Sequence, residues 1–170
     1  PVLTIKDAGL ETPESVVYDA TDDVYLVSNI NGGPSAADGN GFISRISPDG
    51  QVAALKWIDG SKKATKLNAP KGLAIAGDLL YVADLDQLKG FDKSTGKSLV
   101  VVSFPPLPSK GIVSLTDVTA GPNGLLYASD QSNNTIYRIE QAAGHRVSQL
   151  IHDDRLAGPS GIAVHPRTGH

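Results

Sequence analysis

Five polar side chains stand at or just before the start of a short apolar segment, where a fold could gather them into one pocket. They are Glu14, Asn68, Lys71, Thr116 and Asp117. A glutamate in such a place can bind a hard cation or act as a general base. The alternatives are a Glu14 that is solvated or paired with Lys71, and a hydrated channel that holds no ligand. The residues alone leave these alternatives open.

Asn29, Asp84 and Asp130 recur at the same place after three similar apolar segments. Three oxygen-bearing side chains could hold a metal ion. However, short amide and carboxylate side chains commonly cap turns by accepting hydrogen bonds from backbone N–H groups. Repetition in every unit therefore favours a structural role for all three.

The sequence indicates neither a histidine metal site nor a serine nucleophile. The four histidines show no metal-ligand spacing. Ser160 and His165 do not suggest a catalytic triad, because no G-x-S-x-G turn surrounds the serine.

The elements that must position these residues form an internal repeat. Equivalent apolar residues are Val16, Leu73, Val118 and Ile162, which are 57, 45 and 44 residues apart. A period of about 40–50 residues with four short strands per unit is typical of β-propellers. No segment sustains a 3.6-residue apolar period, so we expect almost no helix.

The sequence therefore predicts one all-β propeller domain over 1–170, built from four-stranded antiparallel blades. The predicted blades span about 14–58, 71–104 and 116–151, and a further blade starts at 160. About three and a quarter blades do not close a ring, since propellers typically have about 4–8. We expect part of a six-bladed protein, with a strand at 2–6 that could pair into a last blade. Self-association through unpaired strand edges is the alternative.

Four long connections should emerge on one face of these blades, here called the long-loop face. They span 29–41, 59–70, 105–115 and 152–159. Variable loops on a rigid scaffold commonly carry binding functions. We expect a small-molecule ligand or a protein partner on this face.

Charge and composition exclude several partner classes. The net charge is −3, and no basic run is present, so nucleic acid and anionic membranes are not expected as partners. No apolar stretch approaches the roughly 20 residues of a membrane span. The chain has no cysteine, which excludes disulfides and thiolate metal sites.

Several motifs resemble known propeller families. LLYVAD at Leu79–Asp84 resembles the NHL-type repeat, as does LYASD at 126–130 followed by NNTIYRI at 133–139. ETPESV at 11–16, with VSNING at 27–32 and DGNGFIS at 38–44, is more specifically similar to the exported branch of the senescence-marker-protein/gluconolactonase family. The resemblance covers essentially the whole chain, aligned to the N-terminal half of the family. It implies a six-bladed propeller that is exported to the periplasm or the cell exterior.

The same resemblance implies a metal site. Enzymes of the family bind one divalent cation over the channel through a glutamate, asparagines and an aspartate. Glu14 matches the glutamate, whereas Thr116 and Ser160 stand where the family has asparagine, and the aspartate would lie beyond His170. Calcium is the expected cation, with Mg²⁺, Zn²⁺ or Mn²⁺ as alternatives. Hydroxyl groups are weaker ligands for such cations than amide carbonyls.

Two functions follow. The first is metal-assisted hydrolysis of a small lactone or ester, in which the cation polarises the carbonyl and activates water. Asp117 would then be the catalytic ligand or base, and Asn68 and Lys71 would contact the substrate. The second is a non-enzymatic propeller that binds a small molecule or a protein through its long-loop face. The hydroxyl residues Thr116 and Ser160 favour this second function, whereas the family resemblance favours the first, which is the function that we expect.

Overall fold

The computed structural model describes residues 3–105, 111–165 and 167–168, which form three four-stranded antiparallel sheets. Blade 1 contains β1 (Pro13–Asp19), β2 (Val24–Asn29), β3 (Phe42–Ile46) and β4 (Val52–Asp59). Blade 2 contains β5 (Pro70–Ala76), β6 (Leu79–Asp84), β7 (Gln87–Asp92) and β8 (Ser98–Ser103). Blade 3 contains β9 (Leu115–Ala120), β10 (Leu125–Asp130), β11 (Thr135–Glu140) and β12 (Arg146–His152).

In each blade, spatial strand order follows chain order, so every strand pairs with the strand next to it in the sequence. The helical segments among the described residues are single 3₁₀ turns at Lys63–Thr65, Pro122–Gly124, Gln141–Ala143 and Asp154–Leu156. No helix in the described part of the chain is long and apolar enough to cross a membrane. The prediction of an all-β partial propeller with four-stranded antiparallel blades is confirmed.

Blade 2 lies between the other two blades, and its inner strand β5 contacts both β1 and β9. Successive side chains of β6 point alternately toward blade 1 and toward blade 3. Leu80 and Val82 pack into the apolar cluster shared with blade 1, whereas Tyr81 and Ala83 pack into the cluster shared with blade 3. Because both faces of the strand are covered, its sequence is a continuous apolar run. Burying each large side chain of this kind contributes about 1.5–3 kcal/mol.

The outer faces of blades 1 and 3 lack such a covering in the described chain. Val16 on β1 is 60% exposed, whereas its counterpart Leu73 on β5 is 7% exposed. At the other end, Tyr127, Ile136 and Ile162 line an open apolar groove of about 450 Å³. The same strand position is therefore core on β5 and surface on β1.

Two predicted strands differ from the structure. Residues 3–6 are not in a strand, and residue 2 lies outside the described residues. Leu3 and Ile5 lie instead against Gly50, whose φ of +88° suits the tight β3–β4 turn. Residues 160–165, where the next blade was expected to start, also lack strand pairing. A β-strand needs a neighbouring strand to which its backbone is hydrogen-bonded, and residues 160–165 have no such strand among the described residues.

Candidate functional site

The first residues of β1, β5 and β9 converge at one end of the inner strands. Glu14, Lys71 and Asp117 lie close enough there for the charges of the latter two to act on the pKa of Glu14. We call these three residues, with Thr116 and Ser160, the mouth cluster. The predicted long-loop face and the mouth cluster lie at the same end of the blades, because the loops before β5 and β9 lead directly into Lys71 and Thr116.

Lys71 is almost completely buried, with 7% of its surface exposed. Its Nζ donates to the backbone oxygen of Leu115 at 3.5 Å, which is the weak limit of a hydrogen bond. Burial lowers the pKa of Lys71, and the charges of Asp84 and Glu14 oppose that shift. Among the described residues no carboxylate is in ion-pair contact with Lys71, so the Glu14–Lys71 pair considered above is not formed.

Asp117 lies between β9 and the segment that follows blade 3. Its Oδ1 accepts a hydrogen bond from the N–H of Val118 at 2.8 Å, and its Oδ2 accepts one from the N–H of Ile162 at 2.9 Å. Burial raises the pKa of Asp117, and these two bonds oppose the shift. The carboxylate fits because residue 72 is glycine, since a Cβ there would overlap Asp117 Oδ1.

Glu14 is the exposed carboxylate of the cluster. Partial burial raises its pKa, the nearby Asp117 raises it further, and Lys71 lowers it. Glu14 and Asp117 are thus two carboxylates that favour protonation more than free side chains do. Carboxyl groups with raised pKa values are typical of acid–base sites.

The hydroxyl of Thr116 is already used inside the fold. Its Oγ1 lies 3.0 Å from Ser129 Oγ and 3.0 Å from the backbone oxygen of Pro159, and its single proton is donated to one of these two oxygens. Ser129 Oγ also hydrogen-bonds the backbone oxygen of Ser160 at 2.5 Å. These contacts tie the segment after blade 3 to β9 and β10. Sequence reasoning missed Ser129, whose signal was only a hydroxyl next to the recurring aspartate.

Asn68 is held in the long-loop face by a different set of contacts. Its Oδ1 accepts a hydrogen bond from the N–H of Gly39 at 3.2 Å. It therefore joins the loop before β5 to the insertion between β2 and β3. This contact gives Asn68 a role in loop packing and leaves its predicted role in substrate binding as a prediction.

The donor set does not fit a divalent cation. The described residues contain no group of three or more His, Asp or Glu side chains arranged to hold a metal ion. Thr116 Oγ1 is hydrogen-bonded elsewhere, both Asp117 oxygens accept backbone N–H groups, and the Lys71 ammonium adds a positive charge. A hard cation needs several free oxygen ligands, which this cluster does not supply.

Asn29, Asp84 and Asp130 anchor the loops, as their repetition predicted. Each side chain accepts a hydrogen bond from the backbone of the segment that enters the inner strand of its own blade. The donors are the N–H groups of Glu11 at 2.9 Å, Ala69 at 2.8 Å and Ser114 at 3.0 Å, in that order. The oxygens of these three side chains therefore have a structural role.

No family model and no curated protein matches this sequence. Solved structures do resemble its fold. A nidogen/laminin complex is 19% identical with a TM-score of 0.61, and the match covers 88% of this chain and 50% of that one. A streptogramin B lyase is 16% identical with a TM-score of 0.57, covering 94% of this chain and 60% of that one. Regucalcin from Agrobacterium tumefaciens, described as a calcium-binding protein, is 14% identical with a TM-score of 0.54, covering 81% and 44%.

These similarities support a β-propeller fold. At such low identity they show the fold alone. The chain spans about half the length of these structures, between 44% and 60%.

Proposed function

We propose that the protein binds a small molecule at the mouth cluster and hydrolyses a lactone or ester bond there. The observation that supports this most is the convergence of Glu14, Lys71 and Asp117, three ionisable side chains whose pKa values are all shifted. Groups of this kind in one cluster are candidates for a functional site. The chain spans only about half the length of the structures it resembles. We therefore propose this activity for the whole protein and not for these residues alone.

Asp117 is the proposed general base. Its raised pKa makes it a stronger base than a free aspartate, and the N–H groups of Val118 and Ile162 hold the carboxylate in place. It would take a proton from water as the water oxygen bonds to the substrate carbonyl carbon. The C–O bond to the leaving oxygen then breaks, and that oxygen receives the proton. General base catalysis of this kind contributes about 10²–10⁴-fold.

Hydrolysis of dihydrocoumarin, an aromatic lactone, and of p-nitrophenyl acetate tests this proposal. We expect Asp117→Asn to lower kcat by about 100-fold or more, because the amide cannot accept the proton. Asp86→Asn is the matched control, since Asp86 is exposed in the β6–β7 turn. Equal rates for Asp117→Asn and the unaltered protein would refute the role of Asp117.

A cation-dependent version of the same reaction is a second candidate, which would need oxygen ligands beyond those that the described residues leave free. It is supported by the position of the Glu14 carboxylate and by the likeness to regucalcin, the calcium-binding protein. Calcium would be the cation, with Mg²⁺, Zn²⁺ or Mn²⁺ as alternatives, held by Glu14 with Thr116 and Ser160. Loss of bound metal in Glu14→Gln, measured by elemental analysis, would support it. Unchanged metal content in that variant would reject it.

Binding without catalysis is the remaining candidate, with a protein partner on the long-loop face. The Asn68–Gly39 hydrogen bond supports it, because it orders the longest insertion against a neighbouring loop. Export of the protein is a further proposal that rests on the motif resemblance. A pull-down with the long-loop face intact and with residues 33–38 replaced by glycine and serine tests the binding role. Capture that ignores the replacement would contradict it.

Self-association through the ends of the blade array is proposed for the case in which these 170 residues are the whole protein. Val16, Tyr18 and Ile151 leave apolar surface exposed on blades 1 and 3, and monomers rarely expose large apolar patches without a binding role. Light scattering of the intact protein should give the mass of two chains. The mass of one chain at high concentration would argue against self-association.

A further inference from the structure

Three lysines of this protein are buried to a similar degree. Lys71, Lys89 and Lys93 are 7%, 6% and 5% exposed. A buried ammonium is costly unless a partner compensates for its lost hydration. The three lysines differ in whether the protein supplies that partner.

Two of them are fully paired. Lys89 Nζ donates to Asp84 Oδ2 at 2.6 Å and to the backbone oxygen of Lys66 at 2.7 Å. Lys93 Nζ donates to both carboxylate oxygens of Asp19 at 3.1 Å. Both ammonium groups thus have a structural role that is complete within the chain.

Lys71 is the exception. An ammonium has three N–H donors, but the described residues give Lys71 one weak acceptor, the backbone oxygen of Leu115 at 3.5 Å. The pKa of Lys71 is lowered by burial. The charges of Asp84 and Glu14 partly oppose that shift, although neither carboxylate forms an ion pair with Lys71. Lys71 therefore retains hydrogen-bonding capacity at the place where β5 enters the mouth cluster.

The same cluster does not fit a divalent cation, although it holds two carboxylates. A positive charge at this place is already part of the chain. An ammonium can donate to a carbonyl oxygen and stabilise negative charge that develops on it, as a metal ion would. The two carboxylates disfavour an anionic ligand, so the ligand that fits is a neutral carbonyl compound.

We propose that the Lys71 ammonium takes the place of a divalent cation in the mouth cluster and donates a hydrogen bond to the carbonyl oxygen of a neutral ligand. This inference deepens the proposed function and rests on the mouth cluster as its site. In hydrolysis, Lys71 would stabilise the oxyanion that forms when water attacks the carbonyl carbon. It keeps its own proton throughout, while Asp117 accepts the proton of the water.

The test uses 2-pyrrolidinone, which has the carbonyl group of a small lactone but resists hydrolysis, so binding is read separately from activity. In the full-length protein with EDTA present, carbon-13 NMR of the lysine Cε groups should show a saturable shift of Lys71. The signals of Lys89 and Lys93 should not move. Adding Ca²⁺ in excess over the EDTA should leave the binding curve unchanged.

Lys71→Met should weaken 2-pyrrolidinone binding at least 10-fold, measured on the amide signals of Val118 and Ile162. Lys97→Met is the matched control, because Lys97 is exposed, and it should bind as the unaltered protein does. A Lys71 signal that does not respond, or responds only after Ca²⁺ is added, would overturn the inference. Binding by Lys71 without lactone or ester hydrolysis would uphold it and reject the proposed reaction.

Discussion

Buried charges in this protein fall into two regions with opposite properties. Within and between blades 1 and 2, Lys89 pairs with Asp84, and Lys93 pairs with Asp19. In the mouth cluster, Lys71 has no carboxylate in contact among the described residues, and the pKa values of Glu14 and Asp117 are raised. The first arrangement satisfies its charges internally, whereas the second leaves them available to a ligand. The difference separates structural charges from functional ones.

The largest expected effect comes from Asp84→Ala in the paired region. The change leaves the Lys89 ammonium buried and removes the acceptor of the Asn68 and Ala69 N–H groups. Breaking a buried pair in this way should lower the free energy of unfolding by about 4 kcal/mol. Urea denaturation measures it, with Asp86→Ala as the exposed control. A loss equal to that of the control would break the comparison.

Lys93→Met should have the next largest effect, because it leaves Asp19 buried without its ammonium between blades 1 and 2. We expect a loss of about 3 kcal/mol at neutral pH. Lys97→Met provides the control for loss of an exposed ammonium.

The pH dependence of the same variant sharpens this prediction. Burial would raise the pKa of Asp19, but the Thr21 N–H and Lys93 together hold it below its usual value. Stability from Asp19 is therefore present above the unfolded-state pKa, about 3.9, and is lost as pH falls through the lower folded-state pKa. Lys93→Met should lose less stability on acidification than the unaltered protein. An equal acid loss in both proteins would contradict the role given to this pair.

Thr116→Val should have the smallest effect on stability. It removes the hydroxyl bonds to Ser129 and Pro159 while keeping the side-chain volume. A loss of about 1 kcal/mol is expected for bonds of this kind, with unchanged 2-pyrrolidinone binding. Weakened binding at unchanged stability would instead place the hydroxyl in contact with the ligand.

The sequence predicted the fold because a propeller repeats its packing. Val16, Leu73 and Val118 occupy one position of that repeat, so their spacing was enough to indicate the blades. Repetition also identified Asp84 as a loop anchor. The strand predicted at 2–6 was not found over its described residues, since an isolated apolar segment carries no information about its neighbour.

Contacts between side chains that are distant in the chain were harder to predict. Asp19 and Lys93 are 74 residues apart in the chain, and no local pattern connects them. Thr116 was predicted as a metal ligand from its place in the chain, whereas its contacts depend on Ser129 in the adjacent strand. The sequence predicts that Lys71 contacts the substrate, but it could not show that no described carboxylate pairs with Lys71, because that depends on side chains that are distant in the chain.

The pKa of Lys71 tests the central claim most directly. Titration of its Cε signal by carbon-13 NMR, assigned with Lys71→Met, should give a pKa below the value of about 10.4 for a lysine in a free peptide, because burial disfavours the charged form. With a lowered folded-state pKa, Lys71 reduces stability at neutral pH, and this penalty shrinks as pH rises toward 10.4. A pKa at or above 10.4 would mean that a carboxylate neutralises Lys71 as in the paired region, and it would contradict the account.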